Sequence, residues 1–136
     1  MFTLNCKGQL ITIKEPIVMG ILNTTPDSFY IGSRLDNNNA LLRMAEQMIG
    51  DGATILDIGG QSTRPGSERV PEAEEMKRVI PAIESVHKAF PGQIISVDTF
   101  YASIAKEAVA AGASLVNDVS AGTIDQSLLT TVAELG

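Results

Sequence analysis

The sequence predicts an α/β protein made of parallel strand–helix units of the barrel type, and three observations predict it. Four short, nearly continuous apolar runs recur, at 17–22, 54–56, 94–97 and 115–116. Such runs belong to parallel strands whose faces are both covered. Each run is followed at once by a polar residue: Asn23, Asp57, Asp98 and Asn117. Functional side chains of such folds gather at the carboxyl ends of strands. Segments with helical periodicity separate the runs.

Residues 2–13 read as a hairpin that turns near Lys7-Gly8 and plugs or flanks the sheet. The first strand covers 17–22, and a loop rich in Thr, Pro, Asp, Ser and Gly runs over 23–37. The first helix is expected from about Asn38, with Leu41, Met44, Ala45, Met48 and Ile49 on one face and Gly50 and Gly52 at its end. The second strand covers 53–58 and its loop 59–70. Pro71-Glu72 opens the second helix, Pro81 predicts a kink in it, and Pro91-Gly92 stops it. A third strand at 94–98, a helix over 101–111 ending at Gly112, and a fourth strand at 114–118 follow. Asp125 is expected to cap a last helix whose Leu128, Leu129, Val132 and Leu135 face the core.

A closed (β/α)₈ barrel needs eight units, in about 250 residues. The four units here read as one domain over 1–136, the first half of a barrel preceded by the hairpin. The pattern also suits an open doubly wound sheet. No G-x-G-x-x-G or G-x-x-x-x-G-K-[ST] phosphate loop is present, and polar residues at every strand end favour the barrel.

Composition narrows the function. A hydrophobic content of 44% and a net charge of −6 fit a globular protein that has no nucleic-acid or membrane-surface partner. An anionic small molecule is still admissible, because local arginines and backbone N–H groups hold anions inside acidic proteins. The single Cys6 rules out a disulfide framework or a cysteine-based metal cluster. No apolar run approaches a membrane span and no secretory signal is visible, so a cytoplasmic location is expected.

Four segments offer chemistry. Asn23-Thr24-Thr25-Pro26-Asp27-Ser28-Phe29 carries oxygens suited to a hard cation such as Mg²⁺, and equally suited to an ordinary turn. In Asp57-Ile58-Gly59-Gly60-Gln61-Ser62-Thr63-Arg64-Pro65-Gly66, glycines allow close backbone approach, and Ser62, Thr63 and Arg64 present successive donors for a phosphate group. Asp98 either accepts two N–H bonds from an amino-heterocycle or caps the helix after Thr99. Strand alternation sends only one of Asn117 and Asp118 into the mouth; either Asn117 pairs with a ring edge while Asp118 anchors a neighbouring loop, or both are structural hydrogen-bonders. His87 reads as a surface residue, and Glu72, Glu74 and Glu75 as a solvated helix start. No Ser–His pair or metal-spaced His cluster is present.

Together, Met19 to Phe29, Asp57 to Gly66, Ser96-Val97-Asp98-Thr99 and Val116-Asn117-Asp118-Val119-Ser120 resemble the dihydropteroate synthase family. The resemblance implies a TIM barrel that joins 6-hydroxymethyl-7,8-dihydropterin diphosphate to 4-aminobenzoate, releases pyrophosphate and uses Mg²⁺. It implies Asn23 at the Mg²⁺ and pyrophosphate, Thr63 and Arg64 on the pyrophosphate, and Asp98 and Asn117 on the pterin ring. It implies Phe29 and Pro65, with Arg64, as the catalytic contributions of two loops that close over the aminobenzoate, and a homodimeric full-length enzyme. Ile31 stands where the family commonly has Asp, and the family's later motifs do not occur within these residues. The 136 residues alone are therefore expected to be inactive or nearly so. Two other readings are a non-catalytic pterin-binding or self-assembling half-barrel, and the pterin-binding domain of a methyltetrahydrofolate methyltransferase. The Ser-Thr-Arg-Pro-Gly loop, suited to a diphosphate, weighs against the last.

Overall fold

The apolar alternation at the start of the chain folds into an antiparallel hairpin, β1 (Phe2–Cys6) with β2 (Gln9–Ile13). Its turn places Lys7 at φ 52° and Gly8 at φ 85°, the backbone that two-residue hairpin turns require. Asn5 Oδ1 accepts the Gly8 N–H at 2.9 Å and closes the turn. A computed structural model describes residues 1–25, 34–61 and 69–136.

The four apolar runs become β3 (Val18–Asn23), β4 (Ala53–Gly59), β5 (Ile94–Asp98) and β6 (Leu115–Asn117), parallel and in sequential order. Helices α1 (Arg34–Gly50), α2 (Glu72–Ala89) and α3 (Ala102–Ala111) make the crossovers, and α4 (Leu128–Leu135) follows β6. The order of the strands decides between the two architectures left open by the sequence. A doubly wound sheet reverses its strand order to bring helices to both faces. Here the order never reverses, and right-handed crossovers then lay successive helices on one face.

The core sits on that face. Leu22, Leu56, Ile58, Ile95 and Val97 pack against Leu41, Ala45, Val79, Ile83, Val86 and Ile104 from the helices. Residues of the other parity line the opposite face, where Met19 is 41% and Ile21 59% exposed. The hairpin forms its own sheet. Lys7 Nζ donates to Val109 O, at the end of α3, at 2.9 Å. Since α3 runs back along the sheet, the hairpin flanks the amino ends of the strands, away from the polar residues.

Several expectations need correction. Helix α1 begins at Arg34, four residues before the expected start, because polar Arg34, Asp36 and Asn37 give no apolar period to read. Met44 is 38% exposed and does not join the core face of α1. Leu129 of α4 is 64% exposed; it lies beside Gly122, where an added Cβ would stand 2.8 Å from Leu129 Cγ. Helix α2 runs from Glu72 to Ala89 through an exposed Pro81. Asp125 does not cap α4, whose N-cap is Ser127 with no side-chain cap bond. Its Oδ1 accepts from the Ser127 N–H and hydroxyl, while Oδ2 accepts the Ala102 N–H at 2.8 Å and so caps α3. Cys6 is buried, as a plain residue would be, and burial pushes its thiol up. No helix among the described residues is long and apolar enough to cross a membrane.

Candidate functional site

Parallel register sets Asn23 beside Gly59, Gly59 beside Asp98, and Asp98 beside Asn117. With strands about 5 Å apart, these residues form one row about 15 Å long at the carboxyl edge of the helix-free face. Residues from four separate strands thus share one rim, which period-two alternation aims to the same side. The row beneath holds Ile21, Asp57, Ser96 and Leu115.

Asp57 therefore does not end its strand. Strand β4 continues to Gly59, and Asp57 lies one row deeper, only 3% exposed. Its Oδ2 accepts the Asn117 Nδ2–H at 3.0 Å. A carboxylate only accepts, so this contact fixes which end of the Asn117 amide faces inward. Asp57 Oδ1 and Ser96 Oγ are buried without a hydrogen-bond partner among the described residues. The signal for Asp57 was present in the sequence, as a charge inside an apolar run. Its partner, 60 residues away, was not.

Asp98 is not a helix cap. The Ala102 N–H goes to Asp125, and the Tyr101 N–H to Thr99 Oγ1. Burial, then the nearby Asp57, Glu75 and Asp118, push the Asp98 carboxyl up to about 6. Gly59 makes room for it, since a Cβ there would lie 3.3 Å from Asp98 Oδ2. Asp118 anchors its own loop. Oδ1 accepts the Ser120 N–H, and Oδ2 accepts the Ser120 hydroxyl and the Gly122 N–H. Burial opposes ionisation of Asp118, but these bonds outweigh it and hold the carboxyl below the usual range.

Glu75 departs most from expectation. Glu72 and Glu74 are exposed, as a solvated helix start should be, but Glu75 is fully buried. Burial pushes its carboxyl up, and the side chains of Gln61, whose Nε2 donates at 2.9 Å, and of Thr99 pull the other way. Thr24 also has a structural task, because its N–H and its hydroxyl both donate to Gly59 O, at 2.8 and 3.0 Å. Asn23 keeps its side chain at the rim with no hydrogen bond among the described residues. His87 is exposed and distant from the row. Phe29, Thr63, Arg64 and Pro65 lie outside the described residues.

A sequential parallel sheet with helices on one face and a polar row at its carboxyl edge defines a protein of the TIM-barrel type. Residues 19–136 match the family model described as pterin binding enzyme, and the chain belongs to that family. It is 51% identical over 132 residues to the dihydropteroate synthase of Bacillus subtilis, covering 96% of this chain and 46% of that protein. The dihydropteroate synthase of Streptococcus pyogenes is 42% identical over 93% of this chain and 47% of its own length. Among solved structures, Xanthomonas albilineans dihydropteroate synthase with 4-aminobenzoic acid matches at TM-score 0.88 and 44% identity, over 98% of this chain and 49% of that one. The same enzyme in complex with 7,8-dihydropteroate matches at TM-score 0.83 and 41% identity. The chain spans about half the length of the curated dihydropteroate synthases it matches.

Proposed function

We propose that these residues form the first half of the barrel of a dihydropteroate synthase, four of its eight units, with 1–136 acting as one structural domain. The whole enzyme would join 6-hydroxymethyl-7,8-dihydropterin diphosphate to 4-aminobenzoate. The observation that carries this is the single row Asn23, Gly59, Asp98 and Asn117. Toward β5 and β6 the row is acidic, with Asp98 in it, Asp57 in the row beneath and Asp118 just after β6. The other end is the neutral amide of Asn23. This polarity orients an extended substrate: an N–H-rich heterocycle suits the acidic end, and a diphosphate is repelled from it.

In this reading ionised Asp98 accepts two ring N–H bonds. Asn117, turned by Asp57, offers its Oδ1 and its second N–H to the ring edge. Thr63 and Arg64 hold the diphosphate, and Arg64 stabilises charge growing on the leaving oxygen. The C–O bond to diphosphate breaks, the aniline nitrogen bonds to the same carbon, and a proton leaves that nitrogen for solvent. An aniline is nucleophilic when neutral, so no strong base is required. Phe29 and Pro65 contribute by excluding water from the reacting carbon.

Mg²⁺ fits the donor set. Among the described residues no group of three or more His, Cys, Asp or Glu side chains could hold a metal. Asn23 offers one hard amide oxygen beside the diphosphate end, and Mg²⁺ is commonly held by few protein ligands plus substrate phosphates and water. When bound, the ion neutralises charge on the diphosphate. The same reading makes the full-length enzyme a cytoplasmic homodimer.

The test is pyrophosphate release by the full-length protein with both substrates, beside the Asp98→Ala and Asn117→Ala variants. Release that needs both substrates, and falls at least a hundredfold in Asp98→Ala, is expected. No release by the full-length protein, or full activity of both variants, refutes the reading. Turnover by residues 1–136 alone at the full-length rate refutes the half-barrel assignment. Calorimetric titration with pterin diphosphate against folate distinguishes the methyltransferase alternative.

A further inference from the structure

One fully buried carboxylate takes no part in the proposed reaction. Glu75 is 0% exposed in the first turn of α2, and its Oε1 has no hydrogen-bond partner among the described residues. Burying an ionisable group this way is costly unless something is gained. Its surroundings show what is gained. Gln61 Nε2 donates to Glu75 Oε2 at 2.9 Å and to Val70 O at 3.0 Å. Gln61 Oε1 accepts the Val70 N–H at 2.9 Å. The Gln61 side chain thus imitates a backbone bridge between residue 61, where the chain leaves β4, and residue 70, where it returns to α2. Glu75 accepts the remaining amide proton, which holds the amide nitrogen toward Val70 O and the amide oxygen toward the Val70 N–H.

Glu75 also lies close to the polar row. Consecutive glycines stand between it and Asp98. A Cβ on Gly60 would lie 3.0 Å from Glu75 Cγ, and one on Gly59 would lie 3.2 Å from Asp98 Cβ. The titratable groups that bear on Asp98 are Asp57 from β4, Glu75 from α2 and Asp118 after β6. Those that bear on Glu75 from its own helix are Glu72 and Arg78. Arg78 is occupied by Glu74 at 3.1 Å and reaches Gly60 O at 3.4 Å.

We propose that Glu75 and Gln61 are positioning residues of the mouth: Glu75 holds the Gln61 amide, the amide joins residue 61 to residue 70, and Glu75 lies across the two glycines from Asp98. Neither residue touches substrate in this account. The inference rests on the proposed function only for its effect on turnover.

Two substitutions separate the tasks. Glu75→Gln keeps an acceptor for Gln61 and removes the charge. Gln61→Leu breaks the bridge and keeps the charge. In full-length protein without ligand, carboxyl-carbon NMR should show the Asp98 midpoint moving down by about half a unit or more in Glu75→Gln, and unmoved in Gln61→Leu. Val70 amide exchange should speed up about tenfold in Gln61→Leu and little in Glu75→Gln. With substrates, Gln61→Leu should raise KM for the pterin diphosphate several-fold with kcat nearly kept, and Glu75→Gln should move the acid limb of kcat/KM downward. An Asp98 midpoint unchanged in Glu75→Gln together with Val70 exchange unchanged in Gln61→Leu overturns the proposal. A wild type that binds no pterin diphosphate overturns the functional reading instead, and the ligand-free measurements still decide this one.

Discussion

Replacing Asp98 by Asn should stabilise the protein while damaging its site. Burial and three neighbouring carboxylates raise the Asp98 carboxyl from 3.8 to about 6 in the folded protein. A folded value above the unfolded one means that the proton stabilises the fold. The ionised form therefore opposes folding fully above pH 6, progressively less between pH 6 and 4, and hardly at all below pH 4. About two units at about 1.36 kcal/mol each set an upper bound near 3 kcal/mol. Asp98 keeps contact with water, so screening reduces this to about 1.5 kcal/mol. For a protein of this size that is roughly 5 °C in Tm. Asp98→Asn should raise Tm by about that much at pH 8 and leave it unchanged at pH 4, by calorimetry in matched ionic strength. It should also lose pterin affinity, since an amide cannot accept two ring N–H bonds through two anionic oxygens. Wild-type affinity should be flat above pH 6 and fall as pH drops below it. A gain in Tm that is equal at both pH values, or a loss at pH 8, refutes the electrostatic reasoning.

Asn117→Asp places a second carboxylate against Asp57 Oδ2, where the amide now donates at 3.0 Å. It should destabilise by about 2–3 kcal/mol at pH 8 and much less at pH 4, by urea titration at both. Asp125→Ala removes the acceptor of the Ala102 N–H, and should cost about 1 kcal/mol and raise amide exchange in the first turn of α3. Gly112→Ala meets both a backbone at φ +126° and a Cβ position 2.4 Å from His87 Cγ. It should cost about 2 kcal/mol or more, whereas Gly50→Ala, with nothing within 4 Å, should be neutral or stabilising.

Strands were legible because the apolar runs over 54–56 and 94–97 are too short for a helix and end at polar residues, and β5 falls on its expected residues. Helix α1 was legible only from its apolar stripe, and its polar first turn was missed for that reason. Asn23, Asp98 and Asn117 could be singled out because each follows an apolar run, and the register puts them in one row. Glu75 could not, because among three glutamates at a helix start nothing local distinguishes the one that points inward. Asp57 was visible as a charge in a strand, but its depth and its grip on Asn117 depend on where β4 ends and which strand lies two places over.

The sequence by itself determined the repeating unit and the polar residues that end β3, β5 and β6, because these follow from local periodicity and backbone chemistry. Tertiary structure decided the rest. The unreversed strand order put α1, α2 and α3 on one face and left the other for the row. Packing of α2 on the Gly59–Gly60 bend buried Glu75. Long-range contacts gave Asp125 to α3 and Asn117 to Asp57. Burial and charge proximity are sums over residues far apart in the chain, and a pattern read a few residues at a time does not contain them.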